Sequence, residues 1–223
     1  MPITQEAMEE RRLDEEDTLS RERYFSEGYF DRGQLSSLSE QIALVHETGA
    51  KRVLEIGLGN GFVSSFLRRA GLEVTTMDVN PNLEPDVVAS VEDLDRKFDS
   101  ATFDCVLCCE VLEHVSFDSF ESSIDQIAKA TNRHAILSFP TAKRQLLKFG
   151  LTFRFHSFRE RFIGFRIRRR LKKLYPAHHW ELDFKKRFSK KAILGVLGAR
   201  FSRVEIKVID PIPYQTFFIC EKD

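Results

Sequence analysis

Leu35, Leu38, Ile42 and Val45 stand three to four residues apart, the spacing of one buried helix face, and Gly49 follows where such a helix would stop. The rhythm then shortens. Arg52-Val-Leu-Glu-Ile-Gly57 is an apolar run of strand length, closed by Leu58-Gly-Asn-Gly61. Phe62, Val63, Phe66, Leu67 and Ala70 restore helical spacing up to Gly71. Further strands are expected at 72–78, 86–90, 103–109 and 134–139, the last stopped by Pro140. Ahead of that last strand, Asp118-Ser-Phe-Glu121 has capping-box spacing before a helix carrying Ile124 and Ile127. Toward the end of the chain, 189–197 reads as a helix. Val204, Ile206 and Val208 alternate as a strand, and 216–220 forms another.

Strands alternating with helices as far as residue 139 call for an α/β fold, a parallel sheet covered on both faces. The final two strands are separated by Asp210-Pro-Ile-Pro213, too short for a helical crossover, so they should pair antiparallel. The expectation is a seven-stranded, mostly parallel sheet with one antiparallel strand and helices on both faces. Residues 1–33 stand apart. Within 1–30 there are nine acids against four arginines and few apolar residues before Ser20, the mark of a frayed or loosely helical acidic arm ahead of a domain over 34–223.

Composition changes the picture in one place. The 223 residues balance 34 Lys+Arg against 34 Asp+Glu, which excludes a polycation, yet the charge is unevenly spread. Residues 143–174 hold twelve Lys and Arg and one acid, Glu160, among many Phe. Ile163, Ile167, Leu171 and Leu174 make an apolar stripe at helical spacing there, so this basic, Phe-rich insertion is expected to contain a short amphipathic helix. Three roles suit it: a lid over the site, a grip on an anionic acceptor or an anionic membrane surface, and, last in rank, RNA binding. No apolar run approaches the roughly 18 residues of a spanning helix, so a cytoplasmic protein, in the second case peripheral to the membrane, is expected. Cys105 and Cys108 have a metal-binding spacing, but residues three apart on a strand face opposite ways, so they read as buried, reduced thiols.

The chemistry begins at Glu55-Ile-Gly57-Leu-Gly59-Asn-Gly61, between a strand and a helix. Gly57, Gly59 and Gly61 let a ligand approach the main chain, and Asp78 ends the next strand facing the same crevice. A carboxylate there can accept the hydroxyl protons of a ribose, which points to an adenosine-containing cofactor. The glycine spacing departs from the dinucleotide fingerprint, and the acid Glu55 favours a cationic ligand over a pyrophosphate.

Val53-Leu-Glu-Ile-Gly-Leu-Gly-Asn-Gly61 resembles the first motif of the class I S-adenosylmethionine-dependent methyltransferases. Phe103-Asp-Cys-Val-Leu-Cys-Cys-Glu-Val-Leu-Glu-His-Val115 resembles the fourth-strand segment of their type 11 subgroup. The resemblance implies the Rossmann-like form of the expected sheet and S-adenosylmethionine as cofactor. It sets Gly57, Gly59 and Gly61 against the methionine part, Asp78 on the ribose, Ser90 and Val91 near the adenine, and Glu110 beside the sulfonium. Many members carry an Asp after the third strand where this chain has Ser90-Val91-Glu92. The segments 85–94, 177–182 and 213–219 look like a bacterial subset found among surface-polysaccharide biosynthesis enzymes, which names a setting rather than a substrate.

An alcohol acceptor needs a general base near the pocket mouth. His178 is assigned that role, with Glu181 orienting it or binding substrate, against the plainer reading that His179 and Trp180 anchor a loop. His114 reads as packing. No metal is expected, because His178, His179 and Glu181 lack a fourth ligand at a recognisable spacing. The expected activity is methyl transfer to a small-molecule or saccharide acceptor, at oxygen, the acceptor being phosphorylated or lipid-linked if the basic insertion grips it. The alternatives are an RNA methyltransferase and a non-catalytic module that keeps the cofactor pocket.

Overall fold

The computed structural model describes residues 19–26, 30–154, 160–171, 173–210 and 212–223. Most of the acidic arm, 1–18 and 27–29, lies outside these. The arm's last two residues, Arg32 and Gly33, already belong to the first helix, and its described part holds one 3-10 turn, Arg21–Phe25. Just before it, the Leu19 carbonyl accepts from Asn80 Nδ2 at 2.9 Å.

Helix α1, Arg32–Thr48, opens on Asp31, whose carboxylate accepts from the Gln34 N–H at 2.7 Å, and closes on Gly49 in the left-handed conformation. Strands β1 (Arg52–Ile56) and β2 (Glu73–Asp78) flank α2 (Phe62–Arg69). The edge strand β3 (Val87–Val88) and the short helix α3 (Leu94–Lys97) lead into β4 (Phe103–Cys109). Helix α4 (Phe120–Ala130) returns the chain to β5 (Thr131–Pro140). A hairpin of β6 (Lys143–Arg154) and β7 (Glu160–Arg170) follows, then α5 (Lys190–Gly198), β8 (Arg203–Lys207) and β9 (Gln215–Glu221).

The main sheet runs β3-β2-β1-β4-β5-β9-β8. Every pair from β3 to β5 is parallel, and β9 lies antiparallel to both neighbours, so one strand is reversed as its short connection demands. Strand alternation divides the core into two layers. Val53, Cys105, Leu107, Ile136 and Phe217 pack under α1 and α2. Leu54, Ile56, Val106, Cys108, Leu137 and Phe218 pack under α4 and α5. Cys105 and Cys108 thus face opposite layers as buried free thiols.

Three local expectations are corrected. The basic insertion is a two-stranded antiparallel hairpin with no helix in its described part; Phe149 pairs with Phe165 and Gly150 with Gly164. Ile163 and Ile167 suit a strand face as well as a helix stripe, and the β-branched and aromatic content decides for the strand. The third strand shrinks to two residues, as the exposed Asp86 before it reaches back to β2, its carboxylate accepting from the Thr76 N–H at 2.7 Å and pairing with Arg68. The capping box does not form. Ser116 caps a preceding 3-10 turn instead, and α4 starts at Phe120 with no side-chain cap.

Candidate active site

Because β1 and β4 are neighbours and both end at the same edge, the turns that follow them meet. Gly57 is where they touch. Its φ is 84°, and a Cβ there would stand 2.3 Å from Val111 Cγ2, so any other residue is strained and forces the Val111 side chain to shift. The turn ends at Gly61, the left-handed residue before α2. Asp78, at the end of β2, braces it: one carboxylate oxygen accepts from the Leu58 N–H at 2.7 Å and the other from the Asn80 N–H at 2.9 Å. A carboxylate has about four lone-pair positions, so acceptor capacity remains for ribose hydroxyls.

Glu55 lies beneath this turn on the α2 side of the sheet. Burial raises its pKa to about 8, partly offset by hydrogen bonds from Ser64. Burial thus works against the standing negative charge expected there and favours the protonated form. Its Oε2 has no hydrogen-bond partner among the described residues. A cationic ligand nearby would favour the ionised form. Ser90 caps the 3-10 turn after β3, accepting from the Glu92 N–H at 3.3 Å. Val91 is buried in the layer with Leu54 and Ile56, so its side chain belongs to the core, and a ligand would meet the main chain there.

Glu110 follows β4 in the left-handed conformation, φ 55°. Its Oε1 accepts from Ser138 Oγ at 3.0 Å, and Gln215 Nε2 donates to the same hydroxyl at 2.9 Å, tying the ends of β4, β5 and β9 together. Burial raises the Glu110 pKa to about 7 against those hydrogen bonds. A non-glycine residue at positive φ costs roughly 1–3 kcal/mol and tends to occur at functional sites.

Beyond Glu110 a 3-10 turn, Leu112–His114, receives the segment around 175–182. Trp180, fully buried among Phe117, Phe120 and Phe139, donates from Nε1 to the Leu112 carbonyl at 3.1 Å. The His179 N–H donates to the Glu113 carbonyl at 2.9 Å. Residues 179 and 180 thus anchor the segment, as the plainer reading held, and the anchoring presents His178. Its Nδ1 lies 3.2 Å from Glu181 Oε1, which also accepts from the Tyr175 N–H at 3.1 Å. The His178 and His114 rings meet edge to face at 5.1 Å, and His114 Nδ1 bonds the Ala177 carbonyl at 3.1 Å. His178 and Glu181 are brought together as expected. Glu113 and His114 join them, which the sequence reading missed; their adjacency just after β4 was the available signal.

A glycine turn that a Cβ would fill, an acid at the end of β2 and a buried, unpartnered carboxyl oxygen between them suit an adenosine ligand with a cationic centre. The methyltransferase domain model matches residues 28–186. The chain belongs to the methyltransferase domain family. Three similar proteins illustrate its range. A ubiquinone biosynthesis O-methyltransferase of Xanthomonas axonopodis pv. citri (strain 306) is 37% identical over 90 residues, 34% of this chain and 37% of that protein. The chain therefore spans little more than a third of that relative. The magnesium protoporphyrin IX methyltransferase of Synechocystis PCC 6803, solved with S-adenosylhomocysteine, superposes with a TM-score of 0.61 at 14% identity, covering 97% of this chain and 100% of that one. The 1,6-didemethyltoxoflavin-N1-methyltransferase of Burkholderia thailandensis gives 0.54 at 17% identity over 83% and 78%. At such identities these two structures speak for the fold.

Proposed function

We propose that this enzyme transfers a methyl group from S-adenosylmethionine to a hydroxyl oxygen of a small-molecule acceptor, of which saccharides are the class to test first. Gly57, Gly59, Gly61, Asp78, Ser90, Val91 and Glu110 form the cofactor side, with Glu55 beneath. The bound cofactor supplies a methyl already activated on a sulfonium, so the protein must chiefly orient the acceptor, exclude water and accept the hydroxyl proton.

The observation that carries the reading is His178 held by Glu181. With Nδ1 donating to a buried carboxylate, Nε2 is left as the proton acceptor, and Trp180 fixes the segment that presents it. The test is turnover of His178→Gln at saturating cofactor across a panel of hydroxylated acceptors. We expect a fall of about 100-fold or more with cofactor affinity retained; unchanged turnover would remove His178 from the chemistry.

The hairpin supports a lipid-linked acceptor. Leu147, Phe149, Phe165 and Ile167 are exposed, and cross-strand pairing puts them on one face. Arg168 and Arg170, also exposed, fall on the other face by the two-residue period. Such a ribbon can lie on an anionic surface. Among the described residues no helix is long and apolar enough to cross a membrane.

A further inference from the structure

The cluster around His178 holds more than a base and its orienting acid. One donor atom each from Glu113, His114 and His178 lies within 4.8 Å of the other two. Zinc bonds of about 2.0–2.2 Å would place such donors roughly 3.3 Å apart, so modest side-chain movements suffice to grip an ion. We propose that Glu113, His114 and His178 form a three-ligand site for a divalent transition ion, zinc by preference, with a position left open for an acceptor oxygen.

The tautomers suit this. A carbonyl only accepts, so His114 Nδ1, 3.1 Å from the Ala177 oxygen, carries the proton. His178 Nδ1 faces the Glu181 carboxylate at 3.2 Å. Each ring is thus oriented through its Nδ1, which makes Nε2 the atom that would ligate. A carboxylate or carbonyl behind a ligating histidine is the usual outer support of a metal site. The cradle is also stiff, because the Trp180 and His179 hydrogen bonds clamp the segment carrying His178 to the turn carrying Glu113 and His114. Two nitrogen donors and one oxygen favour zinc or cobalt over magnesium or calcium, which prefer all-oxygen sites. The four thiols do not compete, since burial raises the pKa of each and keeps it protonated.

The site goes beyond the general-base reading and shares one nitrogen with it. With an ion bound, His178 is a ligand, and the ion takes over the lowering of the acceptor hydroxyl's pKa.

The test is calorimetric titration of the chelator-treated full chain with Zn²⁺, repeated with Co²⁺ to read its visible spectrum, without acceptor or turnover. One equivalent should bind at micromolar affinity or tighter, with a tetrahedral or five-coordinate Co²⁺ spectrum. His114→Gln should weaken binding by at least about 10-fold while far-ultraviolet dichroism stays unchanged. As a check needing no variant, one equivalent of Zn²⁺ should shield His114 and His178 of the wild-type chain from diethylpyrocarbonate, read by peptide mass. No binding, binding that His114→Gln leaves intact, a preference for Mg²⁺ over Co²⁺, or unshielded histidines would each overturn the site. None of these readouts depends on whether His178 serves as the base; that is decided separately by comparing His178→Gln with wild type in the chelator-treated, ion-free enzyme, where only loss of a base can lower turnover.

Discussion

The two halves of the crevice are built in opposite ways. The half proposed for the cofactor is local: Gly57, Gly59 and Gly61 follow one strand, and Asp78 on its neighbour closes the turn through the Leu58 N–H. The half proposed for the acceptor is assembled across the chain. His114 and the Ala177 carbonyl meet over 63 positions, Trp180 and the Leu112 carbonyl over 68. The first half can be made by a short motif wherever a parallel sheet exists. The second exists only after the segment following the hairpin has docked, so it rests on a few buried anchors and should fail separately.

Trp180 is the place to break that difference. Trp180→Ala removes a fully buried ring packed on Phe117, Phe120 and Phe139 and leaves the Leu112 carbonyl without its donor. A loss of about 3–5 kcal/mol is expected in urea unfolding. If the halves are independent, calorimetry on the fraction still folded finds cofactor affinity within about threefold of wild type. A parallel collapse of both would show one cooperative unit instead.

Gly57→Ala attacks the other half. The new methyl meets Val111 at a φ of 84°, so strain and clash together should cost about 2–3 kcal/mol and lower Tm by roughly 5–10 °C. Cofactor binding should be lost in a protein that still folds, because the added methyl displaces Val111 and strains the glycine turn. Retained binding would mean that the turn opens more easily than its geometry suggests.

The same contrast explains what could be read in advance. Strand number and the reversed strand follow from alternating apolar runs and one short connection, and the glycine turn follows from glycines at fixed spacing with Asp78 on the next strand. Those signals are local in sequence. That His178 would meet Glu181 was also legible, since only three positions separate them. That both would meet Glu113 and His114 was not, because the meeting depends on how Trp180 docks. The hairpin was misread for another reason: Ile163 and Ile167 fit periods of four and two equally well, and no turn residue arbitrates between them. The upward push on the Glu55 pKa was not legible either, because burial is a property of the folded chain.

Glu55 therefore sharpens the account of the cofactor half. Its folded pKa, about 8, lies above the ordinary carboxyl value, so the folded state holds a proton the unfolded chain releases. Its contribution to stability is fully present at acid pH and is lost as pH rises toward 8, with a slope of at most about 1.4 kcal/mol per pH unit for one proton. Glu110, raised to about 7, acts in the same direction over a narrower window. Urea unfolding from pH 5 to pH 9 should show Glu55→Gln flatter than wild type and relatively more stable at the alkaline end. An unchanged slope would place the titrating group elsewhere.

The smallest expected effect on stability belongs to the hairpin, which branches from the acceptor half at Ala142 and Leu171, joined by a 2.7 Å backbone hydrogen bond. Phe149 and Phe165 are 65% and 64% exposed, so replacing both with Ser removes little buried area and should change unfolding free energy by less than about 0.5 kcal/mol. If the acceptor half is held by Trp180 and the hairpin only presents a surface, turnover on a water-soluble acceptor should not move either. Co-sedimentation with anionic vesicles should instead fall sharply at low salt. Loss of stability would show that the hairpin packs against something. Unchanged sedimentation would assign the surface affinity to the arginines alone, because an apolar face that contributes nothing to folding or to membrane binding has no part in presenting a lipid-linked acceptor.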